Sequence, residues 1–153
     1  MNEYKKKYEE DFDNFLMIMD EQLDSLKDDA EKHKIPLDFS LRDLENLEDL
    51  LDLMAPPDTS QDLSKMIVYF ARHLGEVVRL NYGGQWFLPL DDIKSVNFNK
   101  PVITGHSPVE GLEFSPVSVM RAYSLRRKKG TLARAVKANV APTPIDIDHL
   151  IEE

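Results

Sequence analysis

The sequence predicts an α+β fold: a helical N-terminal half packed with a small antiparallel sheet, then one or two C-terminal helices. Three observations carry that expectation. Apolar residues recur every three or four positions through the first half of the chain. After Gly83-Gly84 the spacing breaks into short apolar and aromatic runs bounded by turn residues. Helical spacing returns after Ser115-Pro116, a capping hydroxyl followed by a proline suited to the first helical position.

The elements follow in order. Tyr4, Tyr8, Phe12, Phe15, Met19, Leu23, Leu26 and Ala30 stack on one face of a single long helix. Glu9, Glu10, Asp13, Asp20, Glu21, Asp24 and Asp28 lie on its water side. Pro36 ends it by disfavouring α geometry at Ile35. Ser40 reads as the N-cap of a second helix with Leu41, Leu44, Leu47, Leu51 and Met54 inward. Ala55-Pro56-Pro57 stops that helix. Asp58 or Ser60 opens a third, in which Leu63, Ile67, Phe70, Leu74 and Val77 repeat at helical spacing. Val68, Ala71 and Val78 widen its stripe, so this helix is expected at the centre. Asn81-Tyr82-Gly83-Gly84 tolerates positive φ and supplies its C-cap and turn.

Residues 85–90, 93–98 and 101–104 are the strand candidates, and 105–111 a loop. Their closeness in sequence favours antiparallel pairing. Val117, Met120 and Tyr123 belong to the next helix. Gly130 interrupts it, and helix resumes over 131–139. Residues 1–140 thus read as one domain, and 141–153 as a tail, mobile or strapped across the surface.

A chain of 153 residues suits a single domain with its own core. Cysteine is absent, which excludes disulfides, thiolate chemistry and Cys-ligated zinc. No secretory h-region follows the start, and no run approaches the roughly 18 apolar residues of a membrane span. A cytoplasmic protein is expected. The net charge of −9 is unevenly spread. Residues 1–62 hold 7 Lys/Arg against 19 Asp/Glu, and residues 63–113 hold 5 of each. Residues 114–140 hold 7 Lys/Arg and no acid, and residues 141–153 hold 4 acids and no base. Opposite fields at the two ends bear on partner choice.

The stretch Leu74-Gly75-Glu76-Val77-Val78-Arg79-Leu80-Asn81-Tyr82-Gly83-Gly84-Gln85-Trp86 is the most distinctive. Gly75 lets another element approach, Gly83-Gly84 turns the chain, and Trp86 fills core. Within residues 64–90 it resembles a helix-turn-strand signature of small bacterial cytosolic proteins, some of immunity or antitoxin type. Gly83-Gly84 ends a helix and does not precede one, so it is no phosphate loop.

His33, His73, His106 and His149 are the histidines. His73 and Glu76 lie three apart, but no second pair at ligand spacing follows. His106 has Ser107 and Glu110 nearby without a nucleophile elbow. A non-enzymatic protein without cofactor or metal is expected. The least favoured alternative is an enzyme in which His73, Glu76 and His106 converge.

Two surfaces remain. Asp20, Glu21, Asp24, Asp43, Glu45, Glu48, Asp49 and Asp52 are expected to form an anionic docking face for a basic protein partner. The sharpest version is an immunity-type inhibitor that plugs the basic cleft of a toxin by steered association. Alternatively, Arg121, Arg126, Arg127, Lys128, Lys129 and Arg134, with Lys137, contact nucleic-acid phosphates. Only Tyr123 interleaves them, so stacking on single strands is poorly served. A third use pairs the basic helix with the acidic ones, within one chain or across a homo-oligomer.

Overall fold

The structure, a computed structural model, describes residues 2–58 and 60–140. The tail expected over 141–153 lies outside them. The described residues form the α+β arrangement that the spacing predicts, with six helices and one antiparallel sheet of three strands.

The first helix is two. α1 spans Asn2–Met17 and α2 spans Met19–Lys32. Ile18 between them has φ −95° and ψ 10°. The ladder is bent without being lost, since Ile18 N–H still reaches Asn14 at 3.2 Å and Gln22 N–H reaches Ile18 at 3.0 Å. No proline or glycine marks the place. Packing accompanies it: Phe15, Met19 and Leu23 form a small cluster against Trp86, while Leu26 and Ala30 enter the main core.

α3 spans Asp43–Met54, and Ser40 is not its cap. The Asp43 carboxylate instead accepts from Asp38 N–H and Phe39 N–H, at 3.1 and 2.7 Å. These bonds hold the preceding turn, in which Phe39 takes a left-handed φ of 65°. α4 spans Ser64–Tyr82, later than Asp58 or Ser60 would start it. Asp62 accepts from both Ser64 N–H and Ser64 Oγ there. α4 is the central helix, with Phe70, Ala71, Leu74, Val77 and Val78 fully buried. It packs against α2, α3 and the later helix over Pro116–Arg126.

β1 (Gln85–Phe87), β2 (Val102–Thr104) and β3 (Glu113–Phe114) follow, in spatial order β1-β2-β3. Trp86 pairs with Ile103, and Ile103 with Phe114. The strand expected over 93–98 does not form. Asp92 accepts from Lys94 N–H and Ser95 Oγ from Asn97 N–H, while successive backbone bonds close turns. Local acceptors thus compete the backbone away from a ladder, and Ile93 and Val96 stay exposed. β3 takes its place as third strand.

α5 spans Pro116–Arg126, and Ser115 Oγ accepts from Ser118 N–H as expected. Arg127 turns the chain at φ 52° and Gly130 at φ 90° before α6, Thr131–Val140.

The distinctive stretch forms a clasp between α4 and β1. A Cβ on Gly75 would sit 2.2 Å from the Trp86 ring, so only glycine admits the indole. Trp86 Nε1–H donates to Glu76 at 2.8 Å, and Arg79 donates twice to the same carboxylate. Burial alone would raise the Glu76 carboxyl, but the bonds from Arg79 and Trp86 outweigh it and hold it below its ordinary value. Gly84, at φ 100°, lies so close to β2 that a Cβ would meet the Thr104 carbonyl at 2.5 Å. These residues fasten helix to sheet.

Candidate functional site

The expected acidic face divides into two parts with different fates. On α3 two of the acids turn inward. Asp43 and Glu48 are each 1% exposed, which corrects their place on a docking face. Asp43 also accepts from His73 Nε2–H at 2.6 Å, beneath the stacked Phe39 ring. Glu48 accepts from Gly130 N–H at 2.9 Å and Leu132 N–H at 3.0 Å. It therefore serves the open amides at the start of α6 from another helix, where that helix's dipole favours a negative charge.

Asp52 is a hub. It accepts from Tyr123 Oη–H at 3.0 Å, Arg127 Nη1 at 3.1 Å and Lys129 Nζ at 2.6 Å. Lys129 also reaches Asp49 at 2.7 Å. Burial pushes the Asp52 carboxyl up, but the bonds from Lys129, Tyr123 and Arg127 bring it below the ordinary aspartate value. Burial likewise lowers Lys129, and its bonds to Asp49 and Asp52 more than reverse that. Glu45 alone of the α3 candidates is exposed and free of an ion pair among the described residues.

On α2 the acids turn outward. Asp20, Glu21, Asp24 and Asp28 are exposed, and no lysine or arginine pairs with them among the described residues. Their spacing sets them on the helix's outer side. Exposed Leu16 and Met17 adjoin the ridge at the end of α1. Asp29 on the inner flank is already engaged by Tyr69 Oη–H at 2.7 Å. Burial first, and then that carboxylate, push the Tyr69 hydroxyl up to about 12.

The basic candidates divide in the same way. Arg127 and Lys129 are spent on Asp52 and Asp49. Arg121, Arg126, Lys128 and Arg134 are exposed. Arg121 shares a shallow groove with Asp62, and Arg134 bonds the Lys129 carbonyl at 3.4 Å. Arg126 and Lys128 have no acidic partner among the described residues.

His73, Glu76 and His106 do not share a partner. His73 binds Asp43, Glu76 binds Arg79 and Trp86, and His106 Nε2 meets the Asn139 side-chain oxygen. Among the described residues no three His, Asp or Glu side chains group as metal ligands. No helix among them is long and apolar enough to cross a membrane.

The pairing of the basic segment with an acidic helix within one chain, one of the uses the sequence offered, is present in the Arg127 and Lys129 ion pairs, but which acids serve it was not legible: Glu48 as the partner of α6 and Asp52 as a hub were missed. Their contacts lie 71 to 84 residues away along the chain, beyond the reach of any local spacing. Comparison with protein-family models, with curated proteins and with solved structures found no match.

Proposed function

We propose that the protein is a non-enzymatic binding module of the bacterial cytoplasm that engages a basic protein partner through the outer face of α2. The supporting observation is the exposure of Asp20, Glu21, Asp24 and Asp28 without a neutralising base, while the acidic candidates of α3 other than Glu45 are engaged by groups of the same chain. A ridge of one sign raises association rates with a cationic surface and adds little to the stability of its own fold. The immunity-type version rests on the resemblance carried by residues 74–86. Those side chains fasten the fold, so partner choice falls to α2.

A lysine-rich peptide is the probe. Asp20→Lys, Glu21→Lys and Asp24→Lys together slow its association about tenfold or more at low salt, and the difference shrinks at high salt. Glu45→Lys changes the rate less. Equal rates for the wild type and the triple variant at low salt remove the ridge from the reading.

A second reading has its own support. Arg126 and Lys128 flank the left-handed Arg127 turn, exposed and unpaired among the described residues. Under it, duplex oligonucleotide binds with a steep salt dependence, and Arg126→Ala with Lys128→Ala flattens the slope by about two. Absent or salt-independent binding rejects it.

A further inference from the structure

We propose that the hollow beneath α1 binds a small arylalkylammonium ion, a single aromatic ring on a short chain that ends in a protonated amine. No residue of α2 lines this hollow, so it stands or falls apart from the α2 ridge.

Tyr8, Phe12 and Phe15 are spaced to share one face of α1, which looks toward Val68 of α4 and Val117 of α5. The rings do not close on that wall. A hollow of about 210 Å³ is left between them. Except for the buried Phe15, these side chains stay half-buried around it. Apolar surface gathered around an unfilled space is the usual form of a small-molecule site. A cavity of about 150 Å³ accepts one benzene ring, so this hollow takes a ring with a short arm.

Two polar groups choose the other end of the ligand. Asn99 stands at the hollow in the left-handed region, at φ 56°, with its backbone N–H fixed to the Pro89 carbonyl at 2.8 Å. Its side-chain amide has no partner among the described residues. Backbone strain held at the wall of a hollow points to a use for the side chain it presents. Asp11 lines the same hollow, and its tie to Lys7, at 3.2 Å, joins side chains that are 63% and 70% exposed. A pair so open to water holds weakly, so an incoming ammonium can replace Lys7. Residues 8–17 add Glu9, Glu10 and Asp13 and no base. Aromatic rings attract an ammonium as well.

The neighbouring cations are turned elsewhere. Lys100 reaches Ser118 Oγ at 3.5 Å. Arg72 donates to the Phe15 carbonyl at 3.4 Å, with its guanidinium 4.3 Å from the Phe15 ring centroid. Neither lines the hollow. Arg72 has no carboxylate partner among the described residues, which makes an arylalkyl carboxylate the rival ligand.

The test is a titration of the full chain with phenethylammonium, followed in two-dimensional amide NMR spectra. Saturable shifts are expected at Val68, Asn99 and Val117, with a Kd of about 0.1–1 mM. Ethylammonium and phenylacetate are each expected to bind at least about tenfold more weakly. Asn99→Gly keeps the left-handed backbone and removes the amide, so a loss of about threefold to tenfold is expected. Asp11→Asn weakens binding about twofold to fivefold. Val68→Phe fills the hollow and weakens it at least about tenfold. Phenylacetate binding as tightly as the ammonium overturns the proposal and assigns the hollow to an anion drawn by Arg72. Equal binding of ethylammonium overturns it too, since the ring is then idle. So does the absence of saturable shifts up to about 10 mM, or a Kd that Asn99→Gly and Val68→Phe both leave unchanged.

Discussion

α2 and α3 have nearly the same grammar and opposite fates. Each is short, acid-rich and striped with leucine, and each carries several carboxylates within three or four turns. On α2 those carboxylates stand in water. On α3 all but Glu45 are engaged: they cap α6, orient His73 and bind the Lys129 and Arg127 side chains. The difference is what lies opposite. α6 and the turn before it bring amides and cations against α3, and no described element covers the outer side of α2. A charge pattern becomes a surface only where nothing folds over it.

Substitutions can break or sharpen this contrast. Asp43→Ala has the largest expected effect, about 3–5 kcal/mol, because it strands the fully buried His73 and takes the acceptor from two partly buried backbone amides. Chemical denaturation measures it, and a loss below about 1 kcal/mol contradicts the structural role. Glu48→Ala follows at about 2–3 kcal/mol, since the first amides of α6 lose their acceptor in a dry place. Amide exchange at Gly130 and Leu132 is expected to rise with it, and unchanged protection argues against the cap.

Asp52→Asn sits lower, at about 1–2 kcal/mol, and has a pH signature. The folded carboxyl titrates below its unfolded value, so its stabilisation is present above about pH 4 and is lost as pH falls through the lower folded value. The wild type is therefore expected to lose more stability than Asp52→Asn on acidification through that window. Parallel acid profiles remove Asp52 as the hub. Smallest is the α2 series: Asp20→Ala, Glu21→Ala and Asp24→Ala each shift stability by no more than about 0.5 kcal/mol. A loss of several kcal/mol from any of them places that acid inside the fold, as on α3, and closes the contrast.

The same division governs what could be read beforehand. The central place of α4, the Ser115 cap and the Gly83-Gly84 turn were legible because each depends on neighbours within a few residues. The bend at Ile18 was not, for no residue type there breaks a helix. The strand over 93–98 failed because Asp92 and Ser95 offered the backbone nearer partners. Of the candidate site, α2 could be read from spacing. The burial of Asp43 and Glu48 could not, since carboxylates are ordinarily left in water.

By itself, then, the amino-acid order determined the α+β class, the helix stops at proline and glycine, and the separation of opposite charges along the chain. Periodicity, capping and backbone permissiveness act over a few residues, so they are written locally. The tertiary structure alone decided which carboxylates meet solvent and which meet Gly130, Leu132, Arg127 or Lys129. That choice depends on which elements come to face one another, and the desolvation of a charge is settled only by what is finally packed against it.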